Sequence, residues 1–181
     1  MAKPFRRPAE GRLLSLVLGA MFGAILHISQ IVLAGLPNIE LVSLLVIVWT
    51  RVFRFGALPG IGVFVLLQGL LYGFGIWWMS YLYIWFILWG IVMLIPQRTV
   101  RPPLRALGWA ALSGVYGFAF GALTAIPWLI TGGPSTALAY WLAGISFDIP
   151  HAIGNFAFAL VLAVPLMEVL RRIGRSTHIL G

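Results

Sequence analysis

Between Phe55 and Ile95 the chain carries no charged residue. A helix rises 1.5 Å per residue, so these roughly 40 residues would make about 60 Å of helix, twice the ~30 Å hydrocarbon core of a bilayer. The stretch must therefore fold back once inside an apolar medium. The rest of the chain has the same character: 61% of the 181 residues are hydrophobic and only 9% are charged, against roughly 25% charged in ordinary globular domains. Lipid is the expected solvent. The expected fold is an all-α integral membrane protein, a bundle of about six transmembrane helices that occupies residues 1–181 as a single domain.

The formal net charge of +8 could point to nucleic acid, but the basic residues stand in short clusters at the ends of apolar stretches. Lys3, Arg6, Arg7 and Arg12 precede the first span, and Arg51 and Arg54 follow the second. Arg98, Arg101 and Arg105 follow the fourth, and Arg171, Arg172 and Arg175 follow the last. The alternate connections hold none. This bias places the basic loops and both termini in the cytoplasm and leaves no role for nucleic acid. The chain has no cysteine, so thiolate catalysis and soft-metal binding are excluded. The N-terminal apolar run continues to about Leu33, beyond the length of a signal core, and reads as a retained first helix.

The expected spans are 13–34, 39–53, 56–75, 80–95, 106–130 and 149–170. Gly35-Leu36-Pro37-Asn38 ends the first through residues that break or cap helices. The second is short, with Arg51 and Arg54 reaching toward cytoplasmic headgroups. The turn between the third and fourth best fits residues 75–80, with Trp77 and Trp78 in the outer interface. The outer segment 131–147 is long, uncharged and partly apolar, and reads as a lid or interfacial helix. No internal repeat is evident, which speaks against a transporter built from two inverted halves.

Asp148, His151 and Asn155 stand at i, i+3 and i+7 and so share one helix face. Polar groups in a membrane helix usually point into the protein or a wet cavity, which makes this face the leading candidate for a binding site. Asp148, followed by Pro150, also suits a helix N-cap. Glu40, the other acid on the outer side, could hold a cation or cap the second span. Gln68 and His27 suit interhelical hydrogen bonds as well as a cavity wall. Aromatic residues crowd the outer half at Trp77, Trp78, Tyr81, Tyr83, Trp85, Trp128, Tyr140 and Trp141. They suit interface anchoring, or, beside Glu40 and Asp148, a flat and cationic heterocycle. The lack of Lys and Arg on that side disfavours a polyanionic ligand such as a nucleotide. Gly19 with Gly23, and Ala20 with Ala24, form small-residue stripes that admit a close neighbouring helix.

Three features together resemble the substrate-binding S components of energy-coupling factor transporters. They are the small-residue spacing at Gly19, Ala20, Gly23 and Ala24, the segment Leu36-Pro37-Asn38-Ile39-Glu40, and the run Asp148-Ile149-Pro150-His151-Ala152-Ile153-Gly154-Asn155-Phe156. The resemblance implies a multi-pass subunit of the bacterial plasma membrane that captures a vitamin or related micronutrient from outside. It would dock through the first-helix stripe on a module of one membrane scaffold and two ATPases. The implied pocket involves Trp77, Trp78, Tyr81, Trp128, Tyr140, Trp141, His151 and Asn155, with Glu40 and Asp148 nearby. No phosphate-binding glycine loop is present, so ATP would be hydrolysed by the partners; no cofactor and no metal site is expected in this chain, which would be no enzyme itself. Two rival readings are an integral membrane enzyme with Asp148 and His151 as acid and base, and a scaffold subunit whose polar residues only join helices.

Overall fold

The computed structural model describes residues 9–97 and 102–176. Lys3, Arg6, Arg7, Arg98 and Arg101 lie outside them. The described chain forms helices α1 (Ala9–Val32), α2 (Val42–Phe53), α3 (Leu58–Tyr72), α4 (Ile76–Leu94), α5 (Pro102–Thr124) and α6 (Ile126–Ser176), with a 3₁₀ turn at Arg54–Ala57. No strand occurs among the described residues. Four helical runs are long and apolar enough to cross a membrane: Val42–Tyr72, Ile76–Leu94, Leu104–Thr124 and Ile126–Arg175. They mark the chain as a helical membrane protein. Leu13, Val17, Ile28, Leu70, Leu94 and Val161 lie exposed on its outside, a surface that only lipid would cover comfortably.

The first of those runs reverses direction within itself. Arg54 adopts φ 56°, ψ −117°, a conformation that ends α2 abruptly. Glu40, before α2, meets His151 at one end of the bundle, while Arg51 reaches Ile95 and Pro96 at the other. From there the chain climbs back: Trp89 Nε1 donates to the Arg54 carbonyl, Phe64 packs edge-on to Trp85, and Trp78 Nε1 donates to Val65 O. α3 therefore runs antiparallel to α4. It runs parallel to α1, since Gly19 faces Pro59 and Gly60, Gly23 faces Val63, and His27 meets Gln68.

α2 is the central helix. Val42, Leu44, Val46, Ile47 and Val48 are buried together with Ser43, Thr50 and Arg51, so nearly its whole circumference is covered, as expected of a helix apolar all round. Arg51 does not reach for headgroups as the sequence suggested. It is buried, donates to Ile95 O (2.8 Å) and Pro96 O (2.9 Å), and lies over the Trp109 ring. The C-terminal carbonyls of α4 need donors and carry partial negative charge, which explains why a guanidinium is held inside.

Two boundaries differ from the sequence reading, each because of a glycine. α4 begins at Ile76, not near residue 80, since Gly73 takes φ 89° and turns the chain immediately after α3. Residues 131–147 are not a separate connection. α5 stops at Thr124, and α6 runs from Ile126 to Ser176 with one break at Gly133 (φ 79°, ψ 179°), a region open essentially to glycine alone. The break folds the two arms toward each other, with Trp128 stacked on Tyr140 at 5.3 Å. Pro134 opens the second arm, where a missing N–H does no harm. That arm continues through Pro150, so Asp148 lies inside a helix and is not its N-cap.

Candidate functional site

Glu40, Tyr81, Thr124, Asp148 and His151 converge at the end of the bundle away from Arg51 and Arg105, around a cavity of about 830 Å³. That volume lies within the range of small-molecule sites. The α1–α2 connection, α4, α5 and the second arm of α6 supply most of the wall. Tyr140, Ala143, Gly144 and Phe147 belong to the part of α6 that the sequence marks as a lid, and they line the cavity.

Glu40 joins the two segments that the sequence singled out. Its Oε2 accepts the Ser43 backbone N–H at 3.0 Å, capping the first turn of α2, and its Oε1 lies 3.1 Å from His151 Nε2. Glu40 thus makes the cap that the sequence allowed and also bonds His151, a contact that the sequence did not single out. Burial pushes the Glu40 carboxyl up, but the His151 hydrogen bond and charge and the Ser43 N–H together hold it below its ordinary value. His151, only 6% exposed, rests edge-on against the Phe120 ring.

Asp148 is 5% exposed. Its Oδ1 accepts the Gly121 backbone N–H at 3.1 Å, and its Oδ2 has no partner among the described residues. Glycines on α5 permit this approach. A β-carbon at Gly117 would lie 2.9 Å from Asn155 Nδ2, and one at Gly121 would overlap the Asp148 carboxylate outright. Gly121→Ala is therefore expected to destabilise the protein by about 1–3 kcal/mol, the usual penalty of overpacking, seen as a lowered melting temperature in detergent. Gly108→Ala, at a position open to added volume, should leave it unchanged or raise it.

Trp77, Tyr81 and Trp85 stand at i, i+4 and i+8 on one face of α4 and form a ladder of edge-to-face rings, with centroids 5.4 and 5.6 Å apart. All three line the cavity. Tyr81 also ends a polar chain: Gln30 Nε2 donates to its hydroxyl, and Gln68 Nε2 donates to Gln30 Oε1 and to His27 Nδ1. His27 and Gln68 thus make the interhelical bond expected of them, and Gln68 reaches the wall as well.

Of the residues expected at the site, Glu40, Trp77, Tyr81, Tyr140, Asp148 and His151 line the cavity. Trp78 instead packs on Phe74 and bonds the α3 backbone, Trp128 stands behind Tyr140, and Trp141 is not in the wall. Asn155, one turn beyond His151, is fully buried beside Gly117, and its amide has no partner among the described residues. Gln30, Phe120 and Thr124 join the wall without having been singled out. Gln30 was legible, since it stands three residues from His27 on the same face; Phe120 and Thr124 depend on how α5 meets α4. Gly19 and Gly23 are spent on α3, whereas Ala20 lies on the open side of α1. No group of three or more His, Cys, Asp or Glu able to hold a metal occurs among the described residues.

No protein-family model, curated protein or solved structure matches the chain.

Proposed function

We propose that this chain is a substrate-capture subunit of an energy-coupling factor type importer, a bundle of six spans with both termini in the cytoplasm, which binds a vitamin-like molecule and passes it inward with a scaffold and two ATPases. The cavity carries this reading. The bundle could have been packed solid, yet the two segments that resemble the S components meet across an 830 Å³ space through Glu40 and His151. The positive-inside bias orients the arginine end toward the cytoplasm, so the cavity faces outward under the α6 hairpin. Alternating helix directions support six spans, although α2 and α3, with 12 and 15 residues, are short for a ~30 Å core.

The test is a thermal-shift screen of the purified protein in detergent against a vitamin and precursor library, followed by uptake in cells. A single saturable ligand should raise the melting temperature by mass action. His151→Ala should weaken that ligand at least tenfold, and inactivating the partner ATPases should abolish accumulation. Accumulation that persists without active ATPases would favour a stand-alone carrier; turnover of a lipid by the purified chain would favour an enzyme; no ligand at all would favour a scaffold.

A further inference from the structure

The charge of the cavity wall is one-sided. Glu40 and Asp148 line it, and no Lys or Arg among the described residues does. Among the described wall residues His151 is the one basic side chain, and Glu40 already engages it. An incoming anion would ordinarily find backbone N–H groups at a helix start, but the Ser43 N–H at the head of α2 is taken by Glu40. The chain's own carboxylate thus occupies a donor that could have bound a phosphate or carboxylate. Asp148 Oδ2, packed against Gly121 of α5, has no partner among the described residues. A buried acceptor left in this state calls for a donor.

We infer that the cavity takes a cationic, nitrogen-containing aromatic heterocycle, with Glu40 and Asp148 as its counter-charges and Trp77 and Tyr81, the less buried rungs of the ladder, as its stacking wall. The deduction rests on the capture reading above and narrows it. Ring faces attract cations through their negative quadrupole, and the attraction grows where water is excluded. A ring cation would satisfy the carboxylates with its charge or N–H groups and the ladder with its plane. A neutral ring would leave the carboxylates of the wall without a counter-charge, and an anion would meet like charge.

The experiment uses the full-length protein in detergent and matched triplets of heterocycles, such as 1-methylquinolinium, quinoline and quinoline-4-carboxylate, alongside the vitamin library. Saturable binding is expected for cations, with a Kd at least tenfold below that of the neutral parent and no binding of the carboxylate. Glu40→Gln and Asp148→Asn should each weaken the cation at least tenfold; either variant suffices if the other is not monodisperse. Equal or tighter binding of neutral or anionic compounds, or cation binding untouched by both substitutions, overturns the charge assignment and leaves the capture reading standing. If only a library compound binds, its charge decides in the same way. If nothing binds, both fall.

Discussion

Trp85→Ala is expected to be among the most damaging single substitutions in this chain, lowering stability by about 3–5 kcal/mol. Trp85 is 1% exposed and touches Phe64 on α3, Tyr81 on α4 and Phe120 on α5. Inside a membrane, helices gain little from leaving a solvent as apolar as they are, so close packing carries the association. Removing the indole would open a void where three helices meet and merge it with the cavity. The melting temperature in detergent should fall far more for Trp85→Ala than for Leu94→Ala, whose side chain is 84% exposed; Trp85→Phe should fall between them. Equal shifts for Trp85→Ala and Leu94→Ala would show that the α3–α4–α5 junction is not packed as described.

Glu40→Ala should cost about 3 kcal/mol, since removing one member of a buried, hydrogen-bonded pair strands the other. Here it strands His151 Nε2 and the Ser43 N–H together. His151→Ala is expected to cost less, because Glu40 keeps its Ser43 bond. The double variant should be less destabilised than the sum of the singles, with a coupling of about 1–3 kcal/mol; strict additivity would deny the contact. The pair also has a signature in pH. The folded Glu40 carboxyl is held below its ordinary 4.5, so between the two values the unfolded chain binds more protons and stability rises with pH. The Glu40 contribution is therefore complete above about pH 4.5 and is lost as pH falls through the folded value. In an acid titration of melting temperature, Glu40→Gln should remove this part of the slope.

Much of the site was legible because polar residues are scarce in this sequence. When nearly everything is apolar, a Glu beside a helix start and an Asp-x-x-His pair on one helix face stand out, and their burial follows from the cost of leaving them in lipid. The aromatics were too many for the same logic. Trp77 and Trp78 are adjacent and chemically identical, yet one lines the cavity and the other bonds Val65 O, because successive residues on a helix point about 100° apart. Which face of α4 turns inward was not written in a helix that is apolar on every side. The N-cap alternative for Asp148 failed for a different reason: a proline two residues later suits a helix start, but here Pro150 stands inside α6.

The sequence by itself determined the solvent, the helical class and the clustering of positive charge at one set of helix ends, because hydropathy, helix rise and charge placement act locally and need no knowledge of neighbours. It also determined which few polar residues must be buried. Only the tertiary structure decided that Glu40 meets His151 across 111 residues of chain, that Gly121 leaves room for Asp148, that Arg51 closes α4 from inside, and that the ladder on α4 and the hairpin of α6 enclose a space. Each of these depends on which helices lie side by side, and apolar faces of similar composition do not specify that from sequence alone.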